Sequence, residues 1–189
     1  MDGKRIIYSI LLFLACCILT YAQNERALLV GISKYSDSTG WRNIHGANDV
    51  DLMKSVLKGF SIRELKNANA TYDNIIKELN YLSKKTKEGD IVYIHFSGHG
   101  QPFEDINGDE QDGWDESFVP FDAHLYYEEN VYSGNKHLTD DILNTYLIKI
   151  RKKNWRTWNT IRNYRCLSCR KFISRLRRRH LQRHWKRVF

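Results

Sequence analysis

Six residues, His95-Phe96-Ser97-Gly98-His99-Gly100, follow a short apolar run, Ile91-Val92-Tyr93-Ile94. Such a run is a buried strand. It delivers a histidine flanked by two glycines to the strand's C-terminal edge. A histidine there can take a proton from a thiol, or hold the resulting thiolate as an ion pair. Gly98 and Gly100 keep the backbone tight around it and leave access open. Gly100 has no side chain, so its N–H can face a developing oxyanion. The plain alternative is a structural strand-end histidine. His95, inside the strand, is read that way, packing or hydrogen-bonding in the interior.

Carboxylates are the second resource. Asp105, Asn107 and Asp109 alternate like the start of an EF-hand loop, with Glu116 at its twelfth position. The sixth position is Glu110 where that loop needs glycine, and no helix pair flanks it, so an EF-hand is excluded. Cysteines are the third. Cys16 and Cys17 lie near the start, Cys166 and Cys169 near the end, and none falls between.

The elements that must carry His99 can be read from periodicity. Residues 26–32 form a nearly continuous apolar run, a strand buried on both faces. Residues 33–44 make a loop containing Gly40. Val50, Met53, Val56 and Leu57 recur at helical spacing over residues 47–57, and Gly59 ends that helix. Residues 62–65 suit a second strand. Thr71 is a good N-cap for a helix whose face is Ile75, Ile76, Leu79 and Leu82. Glu88-Gly89-Asp90 turns the chain into the strand over residues 91–96. Thr139 caps a final helix with Ile142, Leu143, Tyr146, Leu147 and Ile150 on its apolar face. Alternating strands and helices at this spacing predict a parallel α/β sheet. Sites in such sheets form beyond the C-terminal strand edges. Residues 97–100 lie at one such edge, and Ser33-Lys34-Tyr35 at another.

Several segments, in order, resemble one family over residues 26–147. They are Ala27 to Tyr35, Gly46-Ala47-Asn48-Asp49, Asn67 to Thr71, His95 to Gly100, the acidic stretch Asp109 to Glu116 with Val119-Pro120-Phe121-Asp122, and Leu138-Thr139-Asp140-Asp141. Together they resemble the caspase-like, metacaspase-type cysteine peptidases. The resemblance implies a caspase-like three-layer α/β/α sandwich with a mostly parallel sheet, here incomplete at the C-terminus. It implies an endopeptidase with a His-Cys dyad, in which His99 activates the thiolate and the Gly100 N–H helps hold the oxyanion. It places Asp49 in the pocket for the residue before the scissile bond. A carboxylate there selects a peptide or protein substrate with Arg or Lys at that position. It also implies a regulatory calcium ion on Asp115, Asp140 and Asp141, with Asp112 as a substitute; no cofactor is required. Aspartate oxygens suit calcium. The plain readings are a solvated acidic loop, a helix-capping pair at Asp140 and Asp141, and ordinary capping by Asp49.

The family sets its cysteine after a fourth apolar strand, in a motif such as Asp-Ala-Cys-His-Ala-Gly. Caspase-type cysteines follow the histidine by about 50 residues. In this chain that region has neither the strand nor the motif. Its charge also breaks: residues 1–150 carry −7, residues 151–189 carry +15 with no acid, and together they give the chain's +8. A shift of reading frame accounts for this. Arg165-Cys166-Leu167-Ser168-Cys169-Arg170 can be encoded AGA TGC TTG TCA TGC AGG. Read one base later, into Lys171, those bases give Asp-Ala-Cys-His-Ala-Gly. The codons of residues 161–164 can give an apolar, strand-like run in that frame. Arg151-Lys152-Lys153-Asn154 can be encoded by a long run of adenines, where one extra base makes the switch. The expectation is therefore a peptidase domain over residues 23–150 and an out-of-frame basic tail over residues 151–189. That chain should be inactive and poorly stable.

Three rivals stand beside this. Cys166 and Cys169 form one Cys-x-x-Cys pair, a zinc or redox element that lacks a second pair. The basic tail can hold polyanions or nucleic acid, with Trp155, Trp158 and Trp185 stacking on bases, though no specific nucleic acid is expected. An inactive caspase-like binding module is the third.

Residues 1–22 read as a secretory signal: Lys4 and Arg5, an apolar stretch over residues 6–19, then Thr20-Tyr21-Ala22 before cleavage at Gln23. The stretch is short of the roughly 20 apolar residues of a membrane span. Export without a stable span is expected, and Cys16 as a lipid anchor suits the pattern less because the apolar run continues past it. The body then has no disulfide framework despite its exported address.

Overall fold

The structure is a computed structural model, and it describes residues 24–105, 108, 113–153 and 161–162. The signal segment, Asp112, both Cys166 and Cys169, and nearly all of the basic tail lie outside those residues.

Four strands make the main sheet: β1 (Glu25–Gly31), β2 (Ser61–Lys66), β3 (Ile91–Ser97) and β7 (Ile161–Arg162), in the order β2-β1-β3-β7 and parallel throughout. β1 lies at the centre, with Leu28, Leu29 and Val30 at most 1% exposed. Both faces of that strand are covered, which is why it lacks polar alternation. Ala27 and Leu29 face helix α1 (Gly46–Val56) with Val50 and Tyr93; Leu28 and Val30 point the other way, into Ile75, Leu79, Leu143 and Leu147. Those last residues belong to α2 (Tyr72–Lys85) and α3 (Asp140–Lys153). The result is three layers, α/β/α. Each fully buried Leu or Ile contributes about 1.5–3 kcal/mol.

Local signals explain the element ends. The Thr71 side chain accepts from Asn74 N at 3.3 Å, and Asp122 accepts from Tyr72 N at 2.7 Å, so two donors at the start of α2 are satisfied. The Thr139 hydroxyl accepts from Ile142 N at 3.5 Å at the start of α3. Gly89 turns with φ +85° before β3. At the N-terminal end of the sheet, buried Asp90 accepts from Asn24, Lys87 and Arg26. Burial works to raise its pKa, but these bonds outweigh burial and hold it below the usual range.

Two features differ from expectation. The acidic stretch is not simply a solvated loop. It leads into β5 (Trp114–Phe118), which pairs antiparallel with β4 (Gly100–Glu104) and with β6 (Leu138–Thr139) in a second, three-stranded sheet. Asp115, Glu116 and Ser117 are buried there. In the tail, where the sequence shows no apolar strand, Ile161 and Arg162 nevertheless pair with Val92 and Tyr93 on the outer edge of β3. A strand edge offers unpaired backbone groups, and two residues suffice to engage some of them. Among the described residues, no helix is long and apolar enough to cross a membrane.

Candidate active site

β1 and β3 end side by side, with Gly31 opposite Ser97 and Ile32 N donating to Ser97 O at 2.9 Å. Helix α1 starts directly over this edge. A Cβ on Gly46 would lie 2.2 Å from Ser97 O and 2.6 Å from Ile32 O, so only glycine permits that approach. Gly98 is equally confined: its Cβ would meet the Phe118 ring at 2.7 Å and the Tyr35 hydroxyl at 3.0 Å. The chain then passes His99 and enters β4. Val119 N donates to His99 O at 2.9 Å and closes the entry.

His99 is half-buried and held from several directions. Its backbone N–H donates to the Tyr35 hydroxyl at 3.1 Å, and that hydroxyl donates to Val119 O at 3.1 Å. The ring stacks on Trp41 with centroids 5.0 Å apart and planes at 27°, and lies 5.2 Å from the tilted Tyr35 ring. Nε2 sits 2.8 Å from the carbonyl oxygen of Arg42. A carbonyl can only accept, so in the neutral ring Nε2 carries the proton and Nδ1 holds the lone pair. A base aimed by a backbone oxygen needs no carboxylate partner.

Asp49 lies in the first turn of α1, one position beyond the usual cap contacts, and its carboxylate accepts from the Ser97 hydroxyl at 2.6 Å. It is therefore tied to the strand that carries His99. Ser97 is wholly buried while Asp49 is partly exposed. The expected capping alternative does not describe this contact. Gly100 opens β4 opposite Phe118.

Asp115, Asp140 and Asp141 also come together, each offering a carboxylate oxygen within 4.8 Å of the others. Asp115 is on β5; Asp140 and Asp141 begin α3. Asp140 is wholly buried, and burial, followed by the charges of Asp115, Asp141 and Glu116, pushes its carboxyl up to about 7. The donor set is all oxygen and carries excess negative charge, so it fits a hard divalent cation.

The sequence singled out His99, Gly100, Asp49, Tyr35 and the three aspartates. It missed Trp41, the Arg42 carbonyl and the Ser97 hydroxyl, and it weighed Glu116 only as the last position of the excluded EF-hand loop. Trp41 carried a signal, a large apolar residue in a polar loop near Gly40. A main-chain carbonyl carries none.

With this geometry in view, comparisons with known proteins are specific. A family model described as metacaspase, peptidase C14 domain, matches residues 25–156. Metacaspase-1 of Eremothecium gossypii is 31% identical over 138 residues, which cover 67% of this chain and 28% of that protein. Metacaspase-1 of Debaryomyces hansenii is 32% identical over 139 residues, covering 66% of this chain and 29% of the relative. The chain thus spans under a third of the length of these curated relatives. A crystal structure of a Geobacter sulfurreducens protein superposes with a TM-score of 0.54 at 25% identity, covering 76% of this chain and 48% of the other.

Proposed function

The chain belongs to the metacaspase family of C14 cysteine peptidases, and from that premise we propose that its body is the histidine-bearing part of an exported endopeptidase that cleaves after Arg or Lys. The observation that carries this is the His99 ring, fixed through Nε2 to the Arg42 carbonyl with Nδ1 left as the base. In the complete enzyme, Nδ1 takes the thiol proton, and the thiolate attacks the substrate carbonyl carbon. The oxygen becomes negative opposite the N–H groups of Gly100 and of the cysteine. The imidazolium then returns its proton to the leaving amine as the C–N bond breaks. A water, deprotonated by His99, hydrolyses the thioester. Asp49, with one oxygen occupied by Ser97, offers the other to a guanidinium or ammonium group.

The cysteine itself is encoded one base out of frame. Supporting this, β7 pairs position 161 with Val92 and position 162 with Tyr93. A shifted-frame strand that kept this register would bring its cysteine, at codon 167, opposite Gly98, one residue before His99. The family match ends at residue 156, close to the codons that can hold an adenine run. The chain as written, without that cysteine, is inactive. Reading the nucleotides across codons 152–171 tests this: a shifted frame lacking the cysteine motif removes the idea.

Asp115, Asp140 and Asp141 form the calcium site in this reading. A divalent ion held there would offset the mutual repulsion of these carboxylates, two of which begin α3 while the third lies on β5. Calorimetry on the full chain showing no calcium heat would exclude it.

A further inference from the structure

We propose that Trp41 is a positioning residue for His99: its indole sets the plane of the imidazole, while the next residue's carbonyl sets its tautomer. The proposal rests on His99 being the catalytic base, but its test reads the ring and not turnover.

Residues 32–45 hold only one short turn of helix, over Asp37–Thr39. Such a loop has little regular backbone bonding to hold a catalytic carbonyl in place. Here it is tied to the segment after β5 by three bonds. Leu125 N donates to Thr39 O at 2.8 Å, the Tyr35 hydroxyl to Val119 O at 3.1 Å, and the Trp41 indole N–H to Ala123 O at 3.0 Å. The last of these fixes the indole at its polar end. Its face then stacks on His99 at 5.0 Å.

Two constraints therefore reach His99 from adjacent residues. The Arg42 oxygen removes one rotation and one tautomer; the Trp41 face removes the tilt of the ring. Without the indole the ring can swing away from the carbonyl, and Nε2 and Nδ1 become alternatives. A base that samples both tautomers presents the wrong nitrogen part of the time. Trp41 as core filler alone predicts something else. It packs at the edge of the core that includes Tyr35 and Ala123, so its loss would loosen that region with no particular effect on the imidazole.

His137 supplies an internal control. It is buried, with Tyr132 Oη 2.8 Å from Nδ1 and Gln101 Oε1 2.8 Å from Nε2, so its neutral ring too has one fixed tautomer, and its ring neighbours are Phe103 and Tyr132. The experiment is imidazole nitrogen and ring-proton NMR on the full chain labelled at histidine. In the unaltered chain the expected result is a single Nε2–H tautomer for His99, with ring protons shifted upfield by the indole. Trp41→Phe keeps a stacking face and should keep the single tautomer. Trp41→Leu should lose the upfield shift and give a tautomer mixture at His99 while His137 is unchanged. A single His99 tautomer retained in Trp41→Leu overturns the proposal. So does the absence of the upfield shift in the unaltered chain; if Trp41→Leu unfolds, Trp41→Met, which fills more of the space without a ring, is read for the His99 tautomer by the same criterion.

Discussion

The Ser97 hydroxyl donates to the Asp49 carboxylate at 2.6 Å, joining the end of β3 to the first turn of α1. Two residues further on is His99. The proposed substrate carboxylate and the proposed base are thus held by one strand end, so a shift of one carries the other.

Ser97→Ala should cost about 1 kcal/mol of stability, the usual net value of one hydrogen bond. The hydroxyl is buried, but Asp49 is partly exposed and can recruit water, so the loss should not reach the larger cost of an orphaned buried charge. Urea denaturation measures it. A loss well above about 3 kcal/mol would mean Asp49 depends on Ser97 far more than its exposure suggests.

Gly46→Ala should be worse. The new methyl meets two main-chain oxygens at 2.2 and 2.6 Å, and neither can move as a side chain end would. Overpacking of this kind costs about 1–3 kcal/mol and sometimes more. Helix propensity pulls the other way by about 1 kcal/mol, since alanine is the better helix former. The clash should win, and an unchanged urea midpoint would show that α1 sits further from the strand ends than described.

Most of the main frame was legible because apolar periodicity marks it. β1 and β3 read as continuous apolar runs, and α2 showed Ile75, Leu79 and Leu82 on one face. The second sheet was not legible for a physical reason. β5 is Trp-Asp-Glu-Ser-Phe, whose two acidic side chains are buried, Asp115 beside Asp140, instead of facing water. A pattern reader sees a solvated loop there. β4 contains Pro102, which lacks an N–H and is tolerated because β4 lies at the sheet's edge. β6 is two residues long and has no period at all. At the site, side-chain chemistry pointed to His99 and the family resemblance to Asp49, whereas the acceptor that orients His99 is a main-chain oxygen.

Asp140 gives the fold a pH dependence with a definite sign. Its carboxyl lies at about 7 in the folded chain against an ordinary 3.8. Between those values the folded state holds a proton that the unfolded chain has released. Stability from this group is therefore full below about pH 4 and is lost as pH rises through 7. In chelator, the urea midpoint should fall across that window, and Asp140→Asn should flatten the fall. Calcium added above pH 7 should restore stability in the unaltered chain and not in Asp140→Asn. Parallel pH profiles for the two proteins would remove both the buried-charge account and its link to a cation.

Restoring the reading frame by deleting one adenine within codons 151–154 joins the arguments about strand, nucleophile and base. Among the described residues of the written chain, β7 pairs Ile161 and Arg162 with Val92 and Tyr93 of β3. A longer apolar strand there pairs more backbone and buries more apolar surface beside Ile94 and Phe96. The restored chain should therefore have a higher urea midpoint and a steeper transition than the written one. It should cleave peptides after Arg or Lys, and the written chain should not. His99→Ala in the restored chain should lower kcat/KM by about 10²–10⁴-fold, the range for losing a positioned general base. Asp49→Asn should weaken Arg and Lys substrates most, by removing the charge that pairs with them. Cleavage after aspartate instead would overturn the role given to Asp49, and equal stability with no cleavage would overturn the frame argument itself.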